Sequence, residues 1–233
     1  MKSLERLRGG LIVSVQAWRG SAIDAPLVLC AMADAAQRNG ACGVRMQGIA
    51  NLRAARPRMR VPMIGLIKVE YPGFAPYITP TVETAREVAS CGVEIVAFDA
   101  TLRPRPDGST VETLVAAIHD SGCIAMADCA SAGDALAALA AGAEIVATTL
   151  CGYTDETAGT PLPALTLTGE LAELDAFVVA EGGVHQPSDL AAAFDAGADA
   201  VVVGSAITNT DWLVGEFAAR APKGPGWKED SRV

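Results

Sequence analysis

The chain has 233 residues, 51% of them hydrophobic, enough for a large core and against global disorder. Its 18 Lys and Arg face 27 Asp and Glu, a net charge of −9 without a basic run, which argues against nucleic acid or an anionic membrane surface as a partner. Two histidines and six cysteines without a C-x-x-C pair argue against a structural metal or a disulfide framework, and no stretch reaches the roughly 18 apolar residues of a membrane span, so the chain reads as cytoplasmic.

In chain order, short apolar runs at 11–15, 43–46, 63–67, 95–98, 124–127, 145–148, 177–180 and 200–203 read as strands. Several are apolar throughout, as expected of parallel strands covered on both faces. Between them lie stretches with helix-start signals. Pro80-Thr81-Val82-Glu83 opens one that ends at Gly92, Ser131 to Asp134 has the form of a capping box, and Pro187-Ser188-Asp189 opens one that ends at Gly197. Gly40, Gly92, Gly142 and Gly197 recur before the even-numbered strands, two βα units apart, each predicted to end a helix in the left-handed conformation. Eight strands with this pseudo-repeat predict one closed (β/α)8 TIM barrel over residues 1–220, followed by a Pro- and Gly-rich tail at 221–233.

Such a barrel carries its active site at the C-terminal strand ends. The residues predicted there are Gln16, then Arg45 and Gln47, Lys68, Asp99 with Thr101 and Arg103, Asp128, Thr148 and Thr149, Glu181, and finally Gly204-Ser205. Lys68 directly follows an apolar strand. Arg45 lies within one, where an unpaired charge is costly, so a pairing or ligand-facing role is predicted. Asp128 could instead cap the next helix, although Ser131 suits that role better. His119 and His185 read as structural.

Gly182-Gly183 and Gly204-Ser205 follow strands seven and eight, where barrels of the phosphate-binding type hold their anion. Backbone amides there supply positive potential locally, whatever the net charge. A lysine and a glutamate at one barrel mouth suit proton transfer beside a carbonyl. Burial beside Arg45 would lower the lysine pKa and make Lys68 a base, and Glu181 could serve as the acid or position a proton relay. Such a step needs no cofactor.

The chain resembles the N-acetylmannosamine-6-phosphate 2-epimerase family. The resemblance rests on segments including Gly10 to Gln16, Val44 to Asn51, Pro62 to Lys68, Ile78-Thr79-Pro80-Thr81, Asp99 to Pro106, Met126 to Cys129, Thr148 to Thr154, Ala180 to Gly183 and Val203 to Thr208. These run in family order over roughly residues 4 to 217. It implies interconversion of N-acetylmannosamine 6-phosphate and N-acetylglucosamine 6-phosphate in amino-sugar or sialic acid catabolism. Lys68 and Glu181 would be the acid/base pair. Gln16, Arg45 and Asp128 would contact the sugar, and Gly182, Gly183, Gly204 and Ser205 the phosphate. It also implies a homodimer. The chain departs from the family at two places: Val69-Glu70 follows the lysine in place of Arg-Asp, and Asn209 stands where an arginine is usual. With Asn209, the phosphate is expected to rest mainly on backbone amides. Two other readings stay open: a lyase in which Lys68 forms a Schiff base on a phosphosugar, and a non-catalytic phosphosugar-binding barrel.

Overall fold

The computed structural model describes residues 2–222; the predicted tail from 223 onward lies outside the described residues. The strands are β1 (Gly10–Val15), β2 (Gly43–Gln47), β3 (Met63–Leu66), β4 (Ile95–Asp99), β5 (Ile124–Asp128), β6 (Ile145–Ala147), β7 (Phe177–Glu181) and β8 (Ala200–Val203). Each expected run ends within a residue of these bounds. All neighbouring pairs are parallel, and β8 returns to β1, which closes the barrel. The helices are α1 (Lys2–Leu7), α2 (Pro26–Arg38), α3 (Ile49–Ala55), α4 (Val82–Ala89), α5 (Val111–Asp120), α6 (Ala132–Ala140), α7 (Leu165–Ala172), α8 (Pro187–Asp195), α9 (Ser205–Thr208) and α10 (Thr210–Ala218).

The helix starts follow the sequence signals. Thr81 caps α4 and Ser131 caps α6, each in a reciprocal capping box, so Asp128 is free of capping duty. Gly40, Gly92, Gly142 and Gly197 all have positive φ, from 77° to 103°, at the helix exits before β2, β4, β6 and β8.

One element is not announced by periodicity. The six-residue α1 places Leu7, fully buried, among the residues that fill the barrel interior. Gly43 makes room for it: a Cβ there would lie 2.6 Å from Leu7 Cδ2.

Strand phase decides what points inward. Ile12, Ile64 and Leu66, Ile95 and Ala97, Met126, Ile145 and Ala147, and Phe177 and Val179 form the interior cluster. Side chains alternate with period two along a strand. The next inward positions are therefore Lys68, Asp99, Asp128, Thr149 and Glu181. On β1 the same phase runs through Ser14 to Gln16, and the register partner of Ser14 on β2 is Arg45. One alternation thus builds an apolar plug and, above it, a polar floor at the C-terminal mouth.

Candidate active site

Arg45 is the centre of that floor. Its side chain is 1% exposed and Asp128 is 0% exposed. Arg45 Nη1 donates to Asp128 Oδ1 at 3.0 Å and Nη2 to Oδ2 at 2.7 Å. Nη1 also lies 3.1 Å from Glu181 Oε2. Burial works against the guanidinium charge, but Asp128 and Glu181 overcome it and hold the Arg45 pKa above its ordinary value.

The Thr149 hydroxyl links the two carboxylates. Its Oγ1 is 2.7 Å from Asp128 Oδ1 and 3.3 Å from Glu181 Oε2. A hydroxyl has one hydrogen, and the shorter contact gives it to Asp128. Thr149 belongs to the strand-end set read from the sequence, but nothing in a sequence announces such a bridge.

Burial pushes the Glu181 carboxyl up to about 7; Asp128 adds to this, while Arg45 and Lys68 pull the other way. Lys68 is exposed to the solvent of the mouth, yet the surrounding protein removes enough hydration to be the main influence holding its pKa below the ordinary lysine value. Arg45 adds to that depression, and Glu181 and Asp128 oppose it. One site thus holds a lysine that gives up its proton more readily than usual and a glutamate that keeps its own longer.

Gln16 sits at the rim. Its Nε2 donates to Ser14 Oγ at 2.8 Å, while its Oε1 is closed to solvent without a partner among the described residues. Asp99 is inward but occupied. It accepts from Thr101 N–H at 3.0 Å, from the Thr101 hydroxyl at 2.5 Å and from Arg103 Nη2 at 3.0 Å, which fixes the β4–α5 loop. Burial raises the Asp99 pKa against these partners. Tyr77 is half-buried and packs against the interior cluster, a placement the sequence reading missed.

The glycine segments lie side by side after β7 and β8. Gly182 and Gly183 have φ of 109° and 70°. Among the described residues, the backbone N–H groups of Gly182, Gly183, Gly204 and Ser205 donate to no protein acceptor. Gly183 has a packing reason as well: a Cβ there would lie 2.3 Å from Leu162 Cβ. Asn209, where an arginine is usual in the family, accepts from Trp212 N–H at 2.9 Å and caps α10. The two histidines stay outside the floor. His119 pairs with Glu144 at 3.2 Å, and His185 stacks on Trp212 at 4.7 Å between centroids. Among the described residues, no three His, Cys, Asp or Glu side chains group as metal ligands would.

Residues 29–222 match a family described as "Putative N-acetylmannosamine-6-phosphate epimerase". A Klebsiella pneumoniae protein named in the same terms, as a 2-epimerase, is 46% identical over 213 residues, 91% of this chain and 89% of the relative. A Thermosynechococcus vestitus protein of the same name is 44% identical over 221 residues, covering 94% of this chain and 96% of its own. Among solved structures, the N-acetylmannosamine-6-phosphate 2-epimerase from Clostridium perfringens superposes with a TM-score of 0.90 at 35% identity, over 94% of this chain and 96% of that one. A thiamine phosphate pyrophosphorylase from Pyrococcus furiosus, 16% identical with a TM-score of 0.60, shares the barrel alone. The chain belongs to the N-acetylmannosamine-6-phosphate epimerase family.

Proposed function

We propose that this protein interconverts N-acetylmannosamine 6-phosphate and N-acetylglucosamine 6-phosphate, as an N-acylglucosamine-6-phosphate 2-epimerase in amino-sugar or sialic acid catabolism. The observation that carries the reading is the meeting of Lys68 and Glu181 above the buried Arg45–Asp128 pair, with shifted proton affinities of opposite use. Epimerisation at C2 needs removal of the C2 proton and return of a proton to the opposite face, and Lys68 and Glu181 are assigned those two roles.

In the open-chain sugar, C2 lies next to the C1 carbonyl, which makes its hydrogen acidic. Neutral Lys68 takes that proton. The C–H electron pair becomes the C1–C2 double bond, and the negative charge moves to the carbonyl oxygen. Protonated Glu181 returns a proton to the other face of C2, the electron pair falls back, and the configuration is inverted. Lys68 is left as ammonium and Glu181 as carboxylate, and exchange with solvent resets both.

Gln16, half-buried at the rim, is assigned to an N–H or O–H of the sugar, which its unpartnered Oε1 meets once the side chain rotates, since Oε1 is closed to solvent where it stands. Arg45 and Asp128 offer almost no surface to a ligand, so their assignment moves from touching the sugar to holding Glu181 and setting the field at Lys68. The free amides of Gly182, Gly183, Gly204 and Ser205 are assigned to the phosphate. We further assign the protein to the cytoplasm, in keeping with its six free cysteines, and to a homodimer, in keeping with the exposed Val214 and Phe217 one turn apart on α10.

The test is conversion of N-acetylmannosamine 6-phosphate followed by proton NMR. Appearance of the gluco epimer supports the reading. Substrate binding without turnover would favour the non-catalytic barrel, and a borohydride-trapped adduct on Lys68 would favour the Schiff-base lyase.

A further inference from the structure

Among the described residues, Thr79 is the non-glycine residue with a positive φ, at 43°. It is β-branched, it precedes Pro80, and its side chain is fully buried. A β-branched residue avoids the left-handed region, and a residue before proline is pressed toward extended backbone. Such strain persists only where the surroundings impose it.

The surroundings are those of Lys68. β3 and β4 are paired only at Ile64–Ile95 and Gly65–Val96. Beyond that point the two strands part, and residues 77–79 lie between their ends. On one side, Ile78 O accepts from Asp99 N–H at 2.8 Å. On the other, Thr79 N–H donates to Ile67 O at 2.8 Å, and Ile67 N–H donates to Thr79 Oγ1 at 3.3 Å. Lys68 pairs with Ile78 in an antiparallel bridge, and Val69 N–H donates to Tyr77 O at 2.9 Å. The residues on both sides of Lys68 are therefore tied to this insert. Two positions on, Thr81 caps α4, so the chain has to turn sharply at Thr79 to serve both the insert and the helix.

We propose that Thr79 is a positioning residue for Lys68: its left-handed backbone and its hydroxyl together lock Ile67 and hold the Lys68 amine over the Arg45–Asp128–Glu181 group. This rests on Lys68 being the base. The hydroxyl supplies an acceptor for Ile67 N–H that the parted β4 no longer offers. Without it, Ile67 N–H has no partner, and the backbone at Lys68 is free to drift outward. Lys68 faces Arg45 from β2, Asp128 from β5 and Glu181 from β7, with Tyr77 on its own hairpin. Outward drift returns hydration to the amine and lengthens its distance from Arg45. Both changes move its pKa back up toward the ordinary lysine value.

The chain has four lysines, Lys2, Lys68, Lys223 and Lys228, so Lys68 is alone between residues 3 and 222. Its titration can be followed by NMR after 13C reductive methylation, with Lys68→Arg identifying the resonance. The comparison is wild type against Thr79→Val, which keeps the branched shape and loses the acceptor, and Thr79→Ser, which keeps the acceptor. We expect Thr79→Val to lower kcat about tenfold or more with KM within about twofold, and its Lys68 resonance to titrate at higher pH than wild type. Thr79→Ser should match wild type in both. If Thr79→Val does not fold, Thr79→Gly, which relieves the backbone and also lacks the hydroxyl, carries the same comparison. A Lys68 titration unmoved by loss of the hydroxyl overturns the proposal, as does an unchanged kcat. A Lys68→Ala variant that turns over at the wild-type rate would sink the base assignment instead, and the titration would still report whether Thr79 positions the amine.

Discussion

Arg45 and Asp128 form a two-point ion pair inside the barrel, at 3.0 and 2.7 Å, with both side chains closed to solvent. Desolvation of two charges is costly, and a two-point fit with further hydrogen bonds is the arrangement that offsets it. Breaking the Asp128 side leaves the buried Arg45 with Glu181 as its remaining charged partner and Nη2 without its acceptor. Asp128→Asn is expected to destabilise the fold by roughly 3–5 kcal/mol. The double variant Arg45→Met, Asp128→Leu should recover most of that loss while remaining inactive. Chemical denaturation of the three proteins checks both parts.

Glu181 provides the pH dependence. Its folded pKa, raised to about 7 mainly by burial, lies above that of an unfolded glutamate. The native state therefore holds this proton more tightly, and the stability it contributes is full below the unfolded value and lost as pH rises through about 7. In kinetics the same group should give kcat/KM a limb near pH 7, which the residual activity of Glu181→Gln lacks. A limb unchanged in that variant would assign the ionisation elsewhere.

Gly183 is held by two constraints at once. Its φ is 70°, and a Cβ would lie 2.3 Å from Leu162 Cβ. Gly183→Ala is expected to cost about 1–3 kcal/mol from overpacking. If its free N–H meets the phosphate, KM for the phosphorylated sugar should rise as well. Denaturation and steady-state kinetics separate the two effects.

Asn209 carries a structural duty in place of the arginine usual in the family. Removing its cap on Trp212 N–H by Asn209→Ala should cost about 1 kcal/mol and leave KM unchanged, because the phosphate is assigned to backbone amides. A large rise in KM would contradict that assignment and place Asn209 at the phosphate instead.

The strands were legible because burial on both faces writes a parallel strand as an apolar run, as at Ile145–Ala147 and Ala200–Val203. The polar floor was legible because a side chain such as Lys68 or Glu181 at the end of such a run has to stand at the mouth. What sequence could not express was commitment. Asp99 reads like Asp128 from its position, yet one fixes its own loop and the other pairs across the barrel with Arg45. Asn209 reads as a lost cation because its capping bond depends on where α10 begins. The strain at Thr79 was hidden because Thr-Pro favours extended backbone, and only the parting of β3 from β4 imposes the turn.

The central claim is that Lys68 removes the C2 proton. Its most direct test is the exchange of that hydrogen in deuterium oxide, followed by NMR on N-acetylmannosamine 6-phosphate with wild type and Lys68→Ala. The wild type should place deuterium at C2 as the gluco epimer appears, and Lys68→Ala should do neither. Exchange and inversion at the wild-type rate in Lys68→Ala would contradict the account.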